Sequence, residues 1–89
     1  MYKILVVDDD PDIVELLEFN LKKEGHQTAS AADGRQALEV AADFNPDIIL
    51  LDVMMPHLDG IATCRLLREQ PKFKDTYILF LTARAEEFS

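Results

Sequence analysis

The sequence predicts an α/β domain built on a doubly wound parallel sheet, and three observations carry that reading. Short aliphatic runs alternate with stretches of helical spacing in the order β-α-β-α-β-α-β. The strongest strand segments are apolar throughout rather than alternating, the pattern of strands covered on both faces. The connections are only a few residues long, and right-handed crossovers of that kind place helices on both sides of the sheet.

The first strand is Ile4-Leu5-Val6-Val7, stopped by Asp8, Asp9 and Asp10. Asp10 suits a helix N-cap and Pro11 the first helical position, where an N–H would have no helical partner anyway. Ile13, Leu16, Leu17 and Leu21 follow at helical spacing. Gly25 ends that helix after Lys22 and Lys23, whose charges match its C-terminal dipole. Gln27 to Ala31 is a weaker second strand, and Asp33-Gly34 makes the next turn. Arg35 to Phe44 is a small-residue helix with Ala37, Leu38, Ala41 and Ala42, stopped by Asn45-Pro46.

Asp47 to Asp52 sets four consecutive aliphatics between two carboxylates and is the clearest strand. Met54 to Gly60 is a loop containing Pro56, and Asp59 caps a helix from Gly60 to about Glu69. Its apolar positions are Ile61, Cys64, Leu66 and Leu67, and Pro71 breaks it. Tyr77 to Leu81 is expected to be a fourth buried strand, and Thr82 to Ser89 to begin one more helix. A strand that apolar calls for a neighbour on its outer side, so the domain is expected to be cut short there. Its open edge would invite pairing with a second copy, a homodimer.

Eighty-nine residues are room for one domain. Seventeen acidic residues against nine basic ones give a net charge of −8, which opposes any grip on nucleic acid or an anionic membrane through charge alone. An apolar fraction of 48% is too rich for a disordered acidic tail. Cys64 is the single cysteine, which excludes an internal disulfide and a multi-cysteine metal site. No apolar run, Ile48 to Leu51 included, is long enough to span a membrane, and the N-terminus enters a strand with no secretory apolar region. A cytoplasmic location is expected.

In a parallel sheet all strands end at one edge, and ligands collect beyond it. Here the first strand ends in Asp8, Asp9 and Asp10, the third in Asp52 and the fourth in Thr82. If the first and third strands are neighbours, Asp8 or Asp9 lies close to Asp52. Carboxylates that close stay ionised together at neutral pH only with a cation among them. All-oxygen ligands favour Mg²⁺ over zinc. A carboxylate beside such an ion can attack phosphorus and form an acyl phosphate. The Thr82 hydroxyl and the Ala83 amide would then hydrogen-bond the phosphoryl group. Residue types alone do not select which aspartate is the acceptor.

Three segments, Lys3-Ile-Leu-Val-Val-Asp-Asp-Asp10, Leu50-Leu-Asp-Val-Met-Met-Pro-His-Leu-Asp-Gly60 and Leu81-Thr-Ala83, together resemble the receiver domain of two-component response regulators. The pattern Asp52-x-x-Met55-Pro56-x-x-Asp59-Gly60 is the most specific part, and the resemblance runs over the whole chain. It implies a flavodoxin-like receiver fold of strand order 2-1-3-4, with the fifth strand and last helix missing. It implies that Asp52 is the phosphoacceptor, that Asp8 and Asp9 hold Mg²⁺ with Asp52, and that the Met54 backbone carbonyl is a further metal ligand. Thr82 corresponds to the switch hydroxyl and Ala83 to the residue whose amide meets the phosphoryl group. A sensor histidine kinase is the implied phosphoryl donor, and the domain is a phosphoacceptor rather than a turnover enzyme. Contact with DNA is implied only through a separate output domain such as a transcription factor. One departure stands out: the family's strand-end lysine has no counterpart, since no basic residue ends a strand after Thr82.

Two other readings compete. A haloacid-dehalogenase-like phosphohydrolase would use Asp8 as nucleophile in an Asp-x-Asp motif, but Asp12 stands where that family has Thr or Val, and the Asp52 motif goes unexplained. A dimerising fragment unable to take up phosphate would fit the missing lysine. The remaining residues have simpler expected roles: Met54 and Met55 in packing, Cys64 as a buried thiol, and His26, His57 and Arg84 at the surface.

Overall fold

The structure is a computed structural model that describes residues 1–81 of the chain. The expected helix from Thr82 to Ser89 lies outside the described residues. The elements are β1 (Lys3–Val7), α1 (Pro11–Lys23), β2 (Gln27–Ala31), α2 (Gly34–Phe44), β3 (Ile48–Asp52), α3 (Gly60–Arg68), a 3₁₀ turn at Pro71–Phe73, and β4 (Tyr77–Leu81). All strand pairs are parallel, in the order β2-β1-β3-β4. The expected fold class and strand order are those observed.

Each helix begins at an aspartate, for one physical reason. The first backbone amides of a helix have no helical acceptor, and a short carboxylate just outside the helix can bond to them. Asp10 accepts from the Asp12 amide at 2.9 Å, Asp33 from Gln36 at 2.8 Å and Asp59 from Ala62 at 2.8 Å. Asp33-Gly34 is therefore a cap and first helical residue rather than a free-standing turn, and α2 starts one residue earlier than expected. Gly25 takes φ +91° just after α1, a conformation that glycine adopts without strain.

The core lies on one face of the sheet. Leu5, Val7, Ile49 and Leu51 point there and meet Ala37 and Ala41 of α2 and Leu67 of α3, all fully buried. Small alanines let α2 lie close to the strands. Phe73, brought in by the 3₁₀ turn, closes this core at 1% exposure, and the sequence reading had only a helix break there.

On the opposite face stand Ile4, Val6, Thr28 and Ser30, by strand alternation. The Thr28 hydroxyl donates to Glu18 of α1 at 2.7 Å, so α1 covers this second face and the sheet is doubly wound. The stripe that α1 turns inward is Val14, Leu17, Glu18 and Leu21, all half-buried. The expected stripe of Ile13, Leu16, Leu17 and Leu21 is corrected accordingly: Leu16 is 58% exposed, and no residue of α1 is fully buried. Glu18 belongs to the inward stripe because Thr28 offers it a hydrogen bond, which hydropathy spacing does not register.

Further expectations are corrected by exposure. β4 is not a buried strand among the described residues: Tyr77 is 62% exposed and Leu79 and Phe80 are each 44% exposed, because β3 is its only strand neighbour among them. Ile61 and Leu66 of α3 face outward, whereas Thr63 is fully buried, with its hydroxyl bonded to the Asp59 carbonyl at 2.7 Å. Cys64 is half-buried. Met55 packs into the core as expected, but Met54 is exposed. His57 lies at the surface with φ +67°, whereas His26 is half-buried, stacked on Tyr2 and accepting the Tyr2 amide hydrogen at Nδ1.

Candidate functional site

Strand register brings the acidic residues together. Val7 pairs with Leu51, so the next residues, Asp8 and Asp52, stand level at the carboxyl edge of adjacent strands. One carboxylate oxygen each from Asp8, Asp9 and Asp52 lies within 4.8 Å of the others. Strand order alone left open whether Asp8 or Asp9 approaches Asp52, the family resemblance implied both, and the fold brings both. Asp9 contributes because the chain leaves the sheet there, so that it no longer alternates to the far face. Asp10 stands apart from the cluster as the α1 cap.

The three carboxylates differ in surroundings. Asp8 is buried at 8% exposure, and its Oδ1 accepts the Asp10 amide at 2.9 Å. Its main chain is tied to β2 through the Ala31 carbonyl at 3.1 Å. Asp52 is half-buried, Asp9 exposed, and an open groove bounded by Asp8, Asp9, Glu15 and Gln36 runs beside the cluster. Burial raises the Asp52 pKa above the ordinary value of 3.8; the Met54 amide opposes that, and the charges of Asp8 and Asp9 reinforce it. Burial likewise raises Asp8, opposed by the Asp10 amide and reinforced by Asp9 and Asp10. A buried and a half-buried acid, both pushed toward their protonated forms by desolvation and like charge, are what a small hard cation relieves, so the donor set fits an oxygen-coordinated divalent ion.

The loop after Asp52 is held by main-chain bonds. The Met54 amide donates to Asp52 Oδ1 at 3.2 Å, and the Gly60 amide closes the loop on the Val53 carbonyl at 3.1 Å. The Met54 amide is a contact that sequence reasoning missed, since every non-proline residue has an amide and spacing marks none of them. On the other side the Val53 amide donates to the Leu81 carbonyl at 3.3 Å, and Leu81 pairs with Asp52. Thr82, Ala83 and Arg84 follow Leu81 and lie outside the described residues.

Comparison with known proteins agrees with this geometry. The chain is similar to the alkaline phosphatase synthesis transcriptional regulatory protein PhoP of Bacillus subtilis, 51% identical over 86 residues that make up 97% of this chain and 35% of that protein. It thus spans about a third of that relative's length. The N-terminal domain of a response regulator receiver protein from Methanoculleus marisnigri superimposes with a TM-score of 0.91 at 36% identity, over 99% of this chain and 76% of that one. Chemotaxis response regulator CheY4 of Vibrio cholerae matches with a TM-score of 0.89 at 36% identity, over 98% of this chain and 74% of its own. The receiver domain of sensor histidine kinase PA1611 from Pseudomonas aeruginosa, which has a magnesium ion coordinated in its active-site cleft, matches with a TM-score of 0.88 at 36% identity, over 94% of this chain and 69% of that one. The sequence also matches the response regulator receiver domain family from residue 4 to residue 89. A parallel sheet of order β2-β1-β3-β4 with acidic residues gathered at its carboxyl edge is therefore that of a receiver domain, and the chain belongs to the response regulator receiver family.

Proposed function

We propose that this receiver domain is a phosphorylation switch whose acceptor is Asp52 and whose donor is a phosphohistidine on a sensor histidine kinase. The observation that carries the reading is the meeting of Asp52 with Asp8 and Asp9 at one sheet edge. Asp52 is half-buried where Asp8 is buried, although each carboxylate accepts the amide two residues on, from Met54 and Asp10 respectively. That difference in exposure, with the family membership, favours Asp52 over the phosphohydrolase reading in which Asp8 attacks.

In the transfer, an Asp52 carboxylate oxygen forms the new P–O bond as the P–N bond to the donor imidazole breaks. The leaving nitrogen keeps the electron pair and takes a proton from solvent. Asp8, Asp9 and Asp52, with the Met54 backbone carbonyl, would hold Mg²⁺; when bound, it offsets the repulsion between these carboxylates and the phosphoryl oxygens. The magnesium in the PA1611 receiver supports that assignment. Thr82 and Ala83 are assigned as switch hydroxyl and phosphoryl-binding amide, supported by their place directly after Leu81, the partner of Asp52 across the β3–β4 ladder.

In this reading the domain promotes its own phosphorylation but is spent by it, and so acts as a substrate rather than a turnover enzyme. Similarity to a transcriptional regulator supports an attached output domain that meets DNA, while this acidic domain does not. Among the described residues no helix is long and apolar enough to cross a membrane. A cytoplasmic setting follows from the proposed kinase partnership. The exposed apolar side chains of Tyr77, Leu79 and Phe80 on β4 support pairing with a second copy, and light scattering that shows only monomer at high micromolar concentration overturns that part.

The test is treatment with acetyl phosphate and Mg²⁺, borohydride trapping, and tandem mass spectrometry of the modified aspartate. Label on Asp52, lost in Asp52→Asn, is expected. Label on Asp8 overturns the assignment, and a folded chain that takes no label favours a pairing fragment.

A further inference from the structure

Gly60 is the first residue of α3 and is buried, and its backbone lies outside the positive-φ region that favours glycine. Conformation therefore does not explain a glycine there, and in a helix glycine costs stability relative to alanine. Space explains it. A Cβ at Gly60 would overlap the Asp52 carbonyl oxygen and come within 2.9 Å of the Asp52 carbonyl carbon and the Val53 Cα. All three atoms are main chain, so no flexible side chain can swing aside.

We infer that Gly60 is a positioning residue for Asp52: its bare Cα lets the start of α3 press on the Asp52–Val53 peptide and hold the acceptor carboxylate. The inference rests on the acceptor role proposed above. The peptide is held from both sides. The Val53 amide is bonded to Leu81 of β4, and the Val53 carbonyl accepts the Gly60 amide. α3 cannot easily retreat, because Leu67 and Thr63 are fully buried beneath it. An added methyl group must therefore turn the peptide that carries Asp52. That turn would draw Asp52 Oδ1 away from the Met54 amide and out of line with Asp8 and Asp9.

The test compares ¹⁵N-labelled wild type, Gly60→Ala and Ile4→Ala, the last a core change near the opposite end of β1. Each is titrated with Mg²⁺ and followed at the Met54 amide resonance, in the presence of trimethylamine N-oxide to favour the folded state. Gly60→Ala is expected to shift the Mg²⁺ midpoint upward about tenfold, the low end of what loss of an orienting neighbour costs a metal site. Ile4→Ala is expected to lower the melting temperature at least as far without moving the midpoint. Equal midpoints for the two variants overturn the inference. Failure of Gly60→Ala to fold even with the osmolyte also overturns it, since Gly60 would then serve the fold as a whole. If wild type itself shows no response to Mg²⁺, the metal assignment fails separately. Hydrogen exchange of the Met54 amide in metal-free protein then decides: Gly60→Ala must accelerate it beyond Ile4→Ala, and equal rates overturn the inference.

Discussion

Asp52 and Asp8 are acids that the fold holds where burial and neighbouring charge both oppose ionisation. The sign of the consequence follows from linkage. A carboxyl whose folded pKa lies above its unfolded value binds its proton more tightly when folded. Its contribution is thus full below the ordinary carboxylate range and is lost as pH rises through the raised value. Without divalent ions, Asp52→Asn is expected to be more stable than wild type near neutral pH. That advantage should shrink as the pH is lowered from about 7 toward 4, where wild type becomes protonated. Urea unfolding of both proteins across that range is the check, and an advantage that grows on acidification contradicts it. At this scale the sequence showed which residue types stood at the strand ends, because an aspartate that ends an aliphatic run is a local feature. It did not show that Asp8 lies deeper than Asp9 and Asp52, since depth depends on what covers each atom from other parts of the chain.

Elements were legible to the extent that their causes are local. Aspartate caps act over two or three residues, and the caps at Asp10 and Asp59 stand where the sequence placed them, while Asp33, read as a turn residue, caps α2 as well. Asp59→Ala removes the bond to the Ala62 amide at the start of α3. It is expected to cost about 1 kcal/mol, read as a lower urea midpoint at unchanged slope. The face that α1 presents was less legible, since Leu16 and Leu17 both fit a helical stripe and only packing on β1 and β2 chooses between them. Leu17→Ala is accordingly expected to cost more than Leu16→Ala, whose effect should stay within about 0.5 kcal/mol, the range of exposed positions. Equal losses would mean that α1 is rotated from the orientation described. Thr63 escaped notice for a similar reason: its hydroxyl is satisfied within its own helix, which permits a burial that polarity argues against.

For the molecule as a whole, the site and the core are consequences of one arrangement. Pairing β1 directly with β3 sets Asp8 beside Asp52 and also lines up Leu5, Val7, Ile49 and Leu51 beneath α2 and α3. An ion bound to the folded site alone stabilises the entire domain by mass action, by about 2.7 kcal/mol at a hundredfold excess over its dissociation constant. Mg²⁺ is therefore expected to raise the melting temperature at neutral pH, with the effect fading in acid and greatly reduced in Asp9→Asn. A Mg²⁺ response that persists unchanged in Asp9→Asn contradicts the assigned ligand set. By itself the sequence determined the order of elements, two of the three helix caps, the parallel sheet and the edge at which carboxylates gather, since periodicity, capping and strand polarity act over a few residues. The tertiary structure alone decided which face of α1 turns inward, how far β4 is covered, that Asp8 lies deeper than Asp9 and Asp52, and why Gly60 must lack a side chain. Each of these depends on atoms far apart in the chain, whose approach is set by packing and strand register rather than by spacing.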